Sequence, residues 1–173
     1  MDTYYTIEEK YLQAVDEASY RDSAKGLRLL KEIIELDRLY ARAHFQLGKI
    51  YYYEIKDYQT AGFYFKTCME LEPAFPDNYF HYLSLVVFLN MERQVGVVSE
   101  KALHTPGVDA SEIYDLLGLF AEKGKDWNTA LKAYEKALIE VTCKDRKEEI
   151  EESIDRVKAK MTRKAAYQYN LTG

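Results

Sequence analysis

Residues 112–138 contain the feature that most restricts the fold of this chain. Leu117-Gly118 precedes a polar turn, and Ala130 and Tyr134 follow it. Apolar residues recur at intervals of three to four on both sides of the turn, which predicts two amphipathic helices. The small residues, Gly118 and Ala130, allow these helices to approach closely. The stretch therefore predicts an antiparallel helix pair.

A second copy of this pattern lies at residues 41–73. Gly48 and Ala61 are its small residues, and Phe65 is the aromatic residue that follows them. The interval from the leucine before the glycine to the alanine is 14 residues here and 13 in the other copy. We therefore expect one extra residue in this turn. Pro73 is expected to end the second helix, because its ring cannot continue the hydrogen-bond ladder.

The two copies resemble the tetratricopeptide repeat (TPR), in which an aromatic residue, Leu-Gly and Ala-x-x-x-aromatic recur in units of about 34 residues. Aligned on this pattern, the chain holds a degenerate first repeat at 1–40, a repeat at 41–76, an eroded repeat at 77–110 and a repeat at 111–143. The resemblance implies an all-α fold over residues 1–173, a single TPR domain. It would be an array of antiparallel helix pairs wound as a right-handed superhelix.

Residues 144–166 differ in character from the repeats. Acidic side chains crowd the front of this segment and basic ones its rear, an order that suits the helix dipole. One narrow apolar stripe runs along it, formed by Ile150, Ile154, Val157 and Met161. A stack of repeats leaves an apolar face at its end, and a helix that is polar on one side can cover it. We therefore expect a C-terminal capping helix.

Charge and hydropathy disfavour nucleic acids and membranes as partners. The chain has 24 basic and 29 acidic residues, for a net charge of −5. Phosphate recognition needs a concentrated basic face, and the basic rear of the last helix follows an equally strong acidic run. The most apolar run, residues 79–89, is too short to span a bilayer. A cytoplasmic protein is expected.

Enzymatic chemistry has little support in the sequence. The three histidines are scattered, and no His/Cys cluster has the spacing of a metal site. Cys68 and Cys143 provide no disulfide framework, which favours a reducing compartment. We therefore expect no enzyme activity, no catalytic residue, no metal and no cofactor.

In the TPR family, the first helices of successive units line a concave groove in which ligand peptides usually lie. The resemblance therefore implies a peptide-binding face that is aromatic and apolar with a mixed-charge rim. The residues that it assigns to this face are Phe45, Lys49, Tyr52, Tyr53, His81, Tyr82, Leu85, Phe88, Leu89, Asp115, Leu119 and Glu122. The chain has 16 tyrosines, so the alternative is that several of these rings pack between repeats.

The resulting function hypothesis is a non-enzymatic scaffold or adaptor that binds a protein or peptide segment in this groove. The acidic, helical character of the chain also resembles the small TPR chaperones of bacterial secretion systems, which hold apolar segments of their partners. A third hypothesis is a self-associating structural protein, a possible homodimer that forms through the helix around residues 95–103.

Overall fold

A computed structural model describes the backbone of residues 6–171 and the side chains of residues 6–163. Every regular element within these limits is helical, so the predicted all-α class is confirmed. The helices are α1 (Ile7–Asp16), α2 (Ser23–Leu36), α3 (Ala41–Lys49), α4 (Tyr58–Leu71), α5 (Asp77–Phe88), α6 (Glu92–Leu103), α7 (Ala110–Lys123), α8 (Trp127–Glu140) and α9 (Lys144–Leu171). Two π-helical turns, Glu17–Arg21 and Ile50–Ile55, extend α1 and α3.

The chain divides into two compact units, Met1–Leu85 and Val86–Gly173. The first five residues of unit 1 and the last two of unit 2 lie outside the described part. The boundary falls inside α5, in the repeat at 77–110 that the sequence marks as eroded. That the whole chain is a single TPR domain remains a prediction.

In unit 1, α1 packs on α2 and α3 packs on α4. Leu30, Ile33 and Leu47 are fully buried where these pairs meet. Gly48 lies directly under the Phe65 ring, because a Cβ built on the glycine would lie 2.6 Å from that ring. The glycine thus permits the close approach of α3 and α4 that its place in the sequence predicts.

The helix-to-helix turn of the second repeat is not longer than that of the fourth, since residues 56–57 form the one and residues 124–126 the other. Lys56 and Lys125 adopt the left-handed conformation, with φ of 63° and 60°. Each is followed by an aspartate that caps the next helix, Asp57 or Asp126. The extra residue of the second repeat lies within the π-helical turn Ile50–Ile55. The expectation of a longer turn is therefore wrong: the helix absorbs the insertion as a π-bulge.

In unit 2, α7 packs on α8 and α8 packs on α9. The predicted stripe of α9 is its buried face, since Ile150, Ile154 and Val157 join the core of this unit and Met161 packs beside it. The predicted capping helix is thus confirmed, and its backbone continues to Leu171, beyond the expected end at residue 166. None of the described helices is long and apolar enough to cross a membrane.

Candidate functional site

Three of the residues assigned to the concave face belong to the core of unit 1. Phe45 is only 4% exposed, and its ring centroid lies 5.2 Å from Phe75 and 5.5 Å from His81. Tyr82 and Leu85 are also buried. These side chains support the surface from below and have little area to offer a ligand.

Exposed Tyr53 and half-buried His81 form the centre of the predicted face in unit 1. Tyr53 is 42% exposed. A hydrogen bond of 2.7 Å joins its hydroxyl to Nδ1 of His81, and the two rings meet edge to face. Burial and the nearby Lys49 ammonium lower the pKa of His81 to about 4. Burial and neighbouring Tyr52 raise the pKa of Tyr53 to about 12. Both groups are therefore neutral near pH 7, which suits contact with an uncharged ligand.

Tyr52 and Lys49 extend this centre on the same helix. The Tyr52 ring lies 4.5 Å from that of Tyr53 and meets Phe65 edge to face at 6.3 Å. Lys49 Nζ lies 5.4 Å from the ring centroid of Phe45. Lys49, Tyr52, Tyr53 and His81 thus form one connected patch, hereafter the ring surface.

In unit 2, the predicted residues Phe88, Leu89 and Leu119 are 52%, 39% and 41% exposed. Lys123 ties the end of α5 to α7. Its Nζ donates hydrogen bonds to the carbonyl oxygens of Val87, at 2.8 Å, and Phe88, at 3.1 Å. It also lies 6.0 Å from the Phe88 ring centroid. A cation there lies at the C-terminal end of α5, where the helix dipole favours positive charge.

Glu122, also assigned to the concave face, holds α9 instead. It is 8% exposed. Its carboxylate accepts hydrogen bonds from Tyr134 Oη at 2.9 Å, from Arg156 Nε and Nη2 at 2.9 Å each, and from Lys160 Nζ at 2.6 Å. These bonds, those from Arg156 above all, lower the pKa of Glu122 to about 2 despite its burial. The structural role leaves no acceptor for a ligand, so the assignment of Glu122 to a binding face needs correction.

Asp115 also lies against α9. Arg146 Nη2 is 3.9 Å from its carboxylate, and Arg146 Nη1 is 3.5 Å from that of Glu112. Burial raises the pKa of Asp115, although Arg146 opposes the effect. These partners could not be predicted from the repeat pattern, because they lie on the last helix, more than 30 residues away. The run of basic residues at the rear of that helix was the sequence feature from which Arg156 and Lys160 could have been predicted as partners.

Metal-binding groups and thiols are the remaining reactive side chains. Among the described side chains, no group of three or more His, Cys, Asp or Glu residues is placed to hold a metal ion. Burial raises the pKa of the Cys68 thiol to about 12, so the thiol stays protonated.

Comparison with known proteins agrees with this architecture. Residues 41–75 match the family profile described as tetratricopeptide repeat. The solved structure of the MamA RS-1 ArsTM double mutant is 14% identical with a TM-score of 0.67, over 90% of this chain and 96% of that one. A crystal structure of MamA protein is 18% identical with a TM-score of 0.65, over 92% and 96% of the two chains. The 41-end fragment of MamA from Desulfovibrio magneticus RS-1 has a TM-score of 0.64 at 18% identity, over 89% and 96%. No curated protein matches the sequence.

The structure contains helix pairs in which a glycine lies beneath an aromatic ring, and a capping helix follows them. This arrangement defines a TPR-type fold, and the structural likeness confirms this fold class. Within this fold, residues 41–75 are similar in sequence to the tetratricopeptide repeat. Proteins that contain this repeat are typically non-enzymatic, and the repeat at 41–75 supports a role in protein–protein interaction in general.

Proposed function

We propose that this chain is a scaffold or adaptor that binds an apolar segment of a partner protein on the ring surface of Lys49, Tyr52, Tyr53 and His81. One observation carries the proposal: Tyr53 is 42% exposed, yet its ring and hydroxyl are both held by His81. An exposed aromatic ring with no supporting contacts would be an ordinary surface residue. A ring that is held in place and still accessible is suited to bind a ligand.

The restraint on Tyr53 bears on affinity. Ordering a rotamer-rich side chain at an interface costs about 0.5–1.5 kcal/mol. The hydrogen bond to His81 and the contact with Tyr52, at 4.5 Å between ring centroids, meet much of this cost before a ligand arrives. Aromatic residues of this kind dominate binding energy, and their truncation commonly costs about 2 kcal/mol or more.

In unit 2, Phe88, Leu89 and Leu119 expose apolar area of their own, and we propose it as a separate apolar contact surface. Asp115 and Glu122 are left out of it, because their carboxylates bind cations of α9. The proposed ligand is therefore apolar or aromatic in its contact residues.

A phage-displayed peptide library selected on the wild-type protein tests this proposal. The selected peptides are then titrated against Tyr53→Ala, Tyr53→Phe and the control Phe63→Ala. Phe63 suits the control because it is a 62% exposed aromatic residue on α4, a second helix of the repeat.

We expect Tyr53→Ala to weaken binding at least about tenfold, equivalent to about 1.4 kcal/mol. Tyr53→Phe retains the ring and should lose less, and Phe63→Ala should bind as wild type does. Circular dichroism confirms that each variant is folded. Equal loss in Tyr53→Ala and Phe63→Ala would refute the proposal.

Two other functions remain as alternatives, and each has its own test. A secretion-type chaperone would use the same surface for an apolar segment of an unfolded client, and a denatured client competing with the selected peptides would support that version. Self-association through α6 receives less support: Val97, at 45% exposure, is the large apolar side chain that residues 95–103 expose. Light scattering over a range of concentrations tests it.

We also propose that the protein is cytoplasmic. Cys68 and Cys143 are both free thiols, one buried and one exposed. Free exposed thiols persist in reducing compartments. Fractionation of cells that express a tagged chain would test this location.

A further inference from the structure

Unit 2 contains a pocket of about 400 Å³ that is separate from the residues assigned to the concave face. It is lined by Lys125, Trp127, Lys160 and Arg163. Lys125 is the left-handed residue of the turn between α7 and α8, and Trp127 is the first residue of α8. Lys160 and Arg163 lie one turn apart on α9 and therefore share a face of that helix. The turn and α9 thus bring three cations around the single tryptophan of the chain, which α8 supplies.

The acidic residues nearby leave this pocket positively charged. Glu122 binds both Lys160 and Arg156. Asp126 caps α8 through the backbone NH of Thr129, at 3.1 Å, and also lies near Lys132. Lys125 and Arg163 are exposed and have no salt-bridge partner among the described side chains. Two of the cations that line the pocket are therefore available to an anion.

The indole ring adds an apolar wall to these charges. Trp127 is half-buried and packs on the core of unit 2, and Lys160 Nζ lies 5.2 Å from its ring centroid. A basic helix end that merely faces solvent needs no aromatic wall. Cations beside an aromatic wall match a ligand that carries a carboxylate next to an apolar side chain.

We propose that this pocket is a second binding site, which takes an acidic peptide segment with an apolar residue beside a carboxylate. The carboxylate pairs with Lys125 and Arg163, and the apolar side chain packs on Trp127. A long polyanion such as a nucleic acid fits poorly. The chain has a net charge of −5, and the front of α9 is acidic.

The only tryptophan of the chain reports directly on the pocket. An acetylated hexapeptide of alternating glutamate and leucine is titrated into the wild-type protein while tryptophan emission is followed. A hexapeptide of alternating glutamine and leucine controls for the apolar contact alone, and a single-stranded oligothymidine tests the polyanion. The pocket variant is Lys125→Gln with Arg163→Gln, which leaves the hydrogen-bond partners of Glu122 unchanged. The control variant, Arg93→Gln with Lys101→Gln, removes the same charges from exposed positions of α6.

We expect a saturable change of emission with the acidic peptide, weakened about tenfold in the pocket variant and unchanged in the control variant. Raised salt should weaken the binding, because the contacts are exposed. Tyr53→Ala should leave it unchanged, so failure of this site and failure of the ring surface are separable. The proposal would be overturned if no saturable binding occurs or if the glutamine peptide gives an equal response. Tighter binding of the oligothymidine, or equal affinity of both variants, would also overturn it.

Discussion

Replacement of Glu122 by glutamine tests the inference that this buried carboxylate fastens α9 to its unit. The ordinary pKa of the side chain is 4.5, and the contacts in the folded protein lower it to about 2. The interval between these values corresponds to about 3 kcal/mol of stability near neutral pH. Arg156 and Lys160 are 46% and 42% exposed and can rehydrate, so we discount the expected loss to about 2 kcal/mol.

The pH dependence gives the prediction a sign. Because folding lowers the pKa of Glu122, its contribution is fully present above pH 4.5 and is lost as the pH falls towards 2. Glutamine has no proton to gain. The stability difference between wild type and Glu122→Gln should therefore shrink by about a third between pH 5 and pH 3.5.

Urea unfolding followed by tryptophan fluorescence and by circular dichroism measures this difference. Glu135→Gln is the matched control, because Glu135 is exposed on α8 and has no salt-bridge partner among the described side chains. We expect it to lie within about 0.5 kcal/mol of wild type. Equal stability of Glu122→Gln and wild type, or a difference that does not change with pH, would refute the reasoning.

Three further predictions concern single residues. Gly118→Ala should destabilise the protein by about 1–3 kcal/mol, because the added Cβ would lie 2.5 Å from the Tyr134 ring. Gly96→Ala should stabilise it by up to about 1 kcal/mol, because its added Cβ meets nothing within 4 Å. Urea unfolding measures both variants, and equal effects would contradict the prediction. His81 should titrate near pH 4 in an NMR experiment, and a midpoint near 6.5 would argue against burial of the ring. Its contribution to stability is present above its ordinary pKa of 6.5 and should be lost as the pH falls towards 4. A thiol reagent should modify Cys143 but not Cys68 in the folded protein, because Cys68 is buried and its pKa is raised to about 12; modification of both thiols before urea is added would be the contrary result.

The sequence predicted those parts of the fold that depend on local pattern. The glycines that allow helix pairs to close, Gly48 and Gly118, lie under the aromatic rings of Phe65 and Tyr134. Each ring follows its glycine by 16 or 17 residues within the same repeat, so the repeat pattern contains both partners. The apolar stripe of α9 was predictable for the same reason, since helical periodicity identifies the buried face.

Long-range polar contacts were not predictable from this pattern. Glu122 lies on the first helix of its repeat, which favoured a binding role. Its partners, Arg156 and Lys160, are 34 and 38 residues away. The pattern also placed Phe45 and Tyr82 on the binding face although both are buried, because periodicity fixes the face of a helix but not what covers it. The π-helical turn at Ile50–Ile55 has no signature in residue type, so its extra residue was expected in the turn.

Hydrogen–deuterium exchange of the wild-type protein, with and without a peptide selected from the displayed library, tests the central proposal most directly. The ring surface consists of Lys49, Tyr52 and Tyr53 at the end of α3 and in its π-helical turn, and of His81 in α5. The proposal predicts that bound peptide slows exchange in residues 49–55 and 77–85, and that Tyr53→Ala abolishes this protection at the same peptide concentration. Protection confined to other segments, or undiminished in Tyr53→Ala, would contradict it.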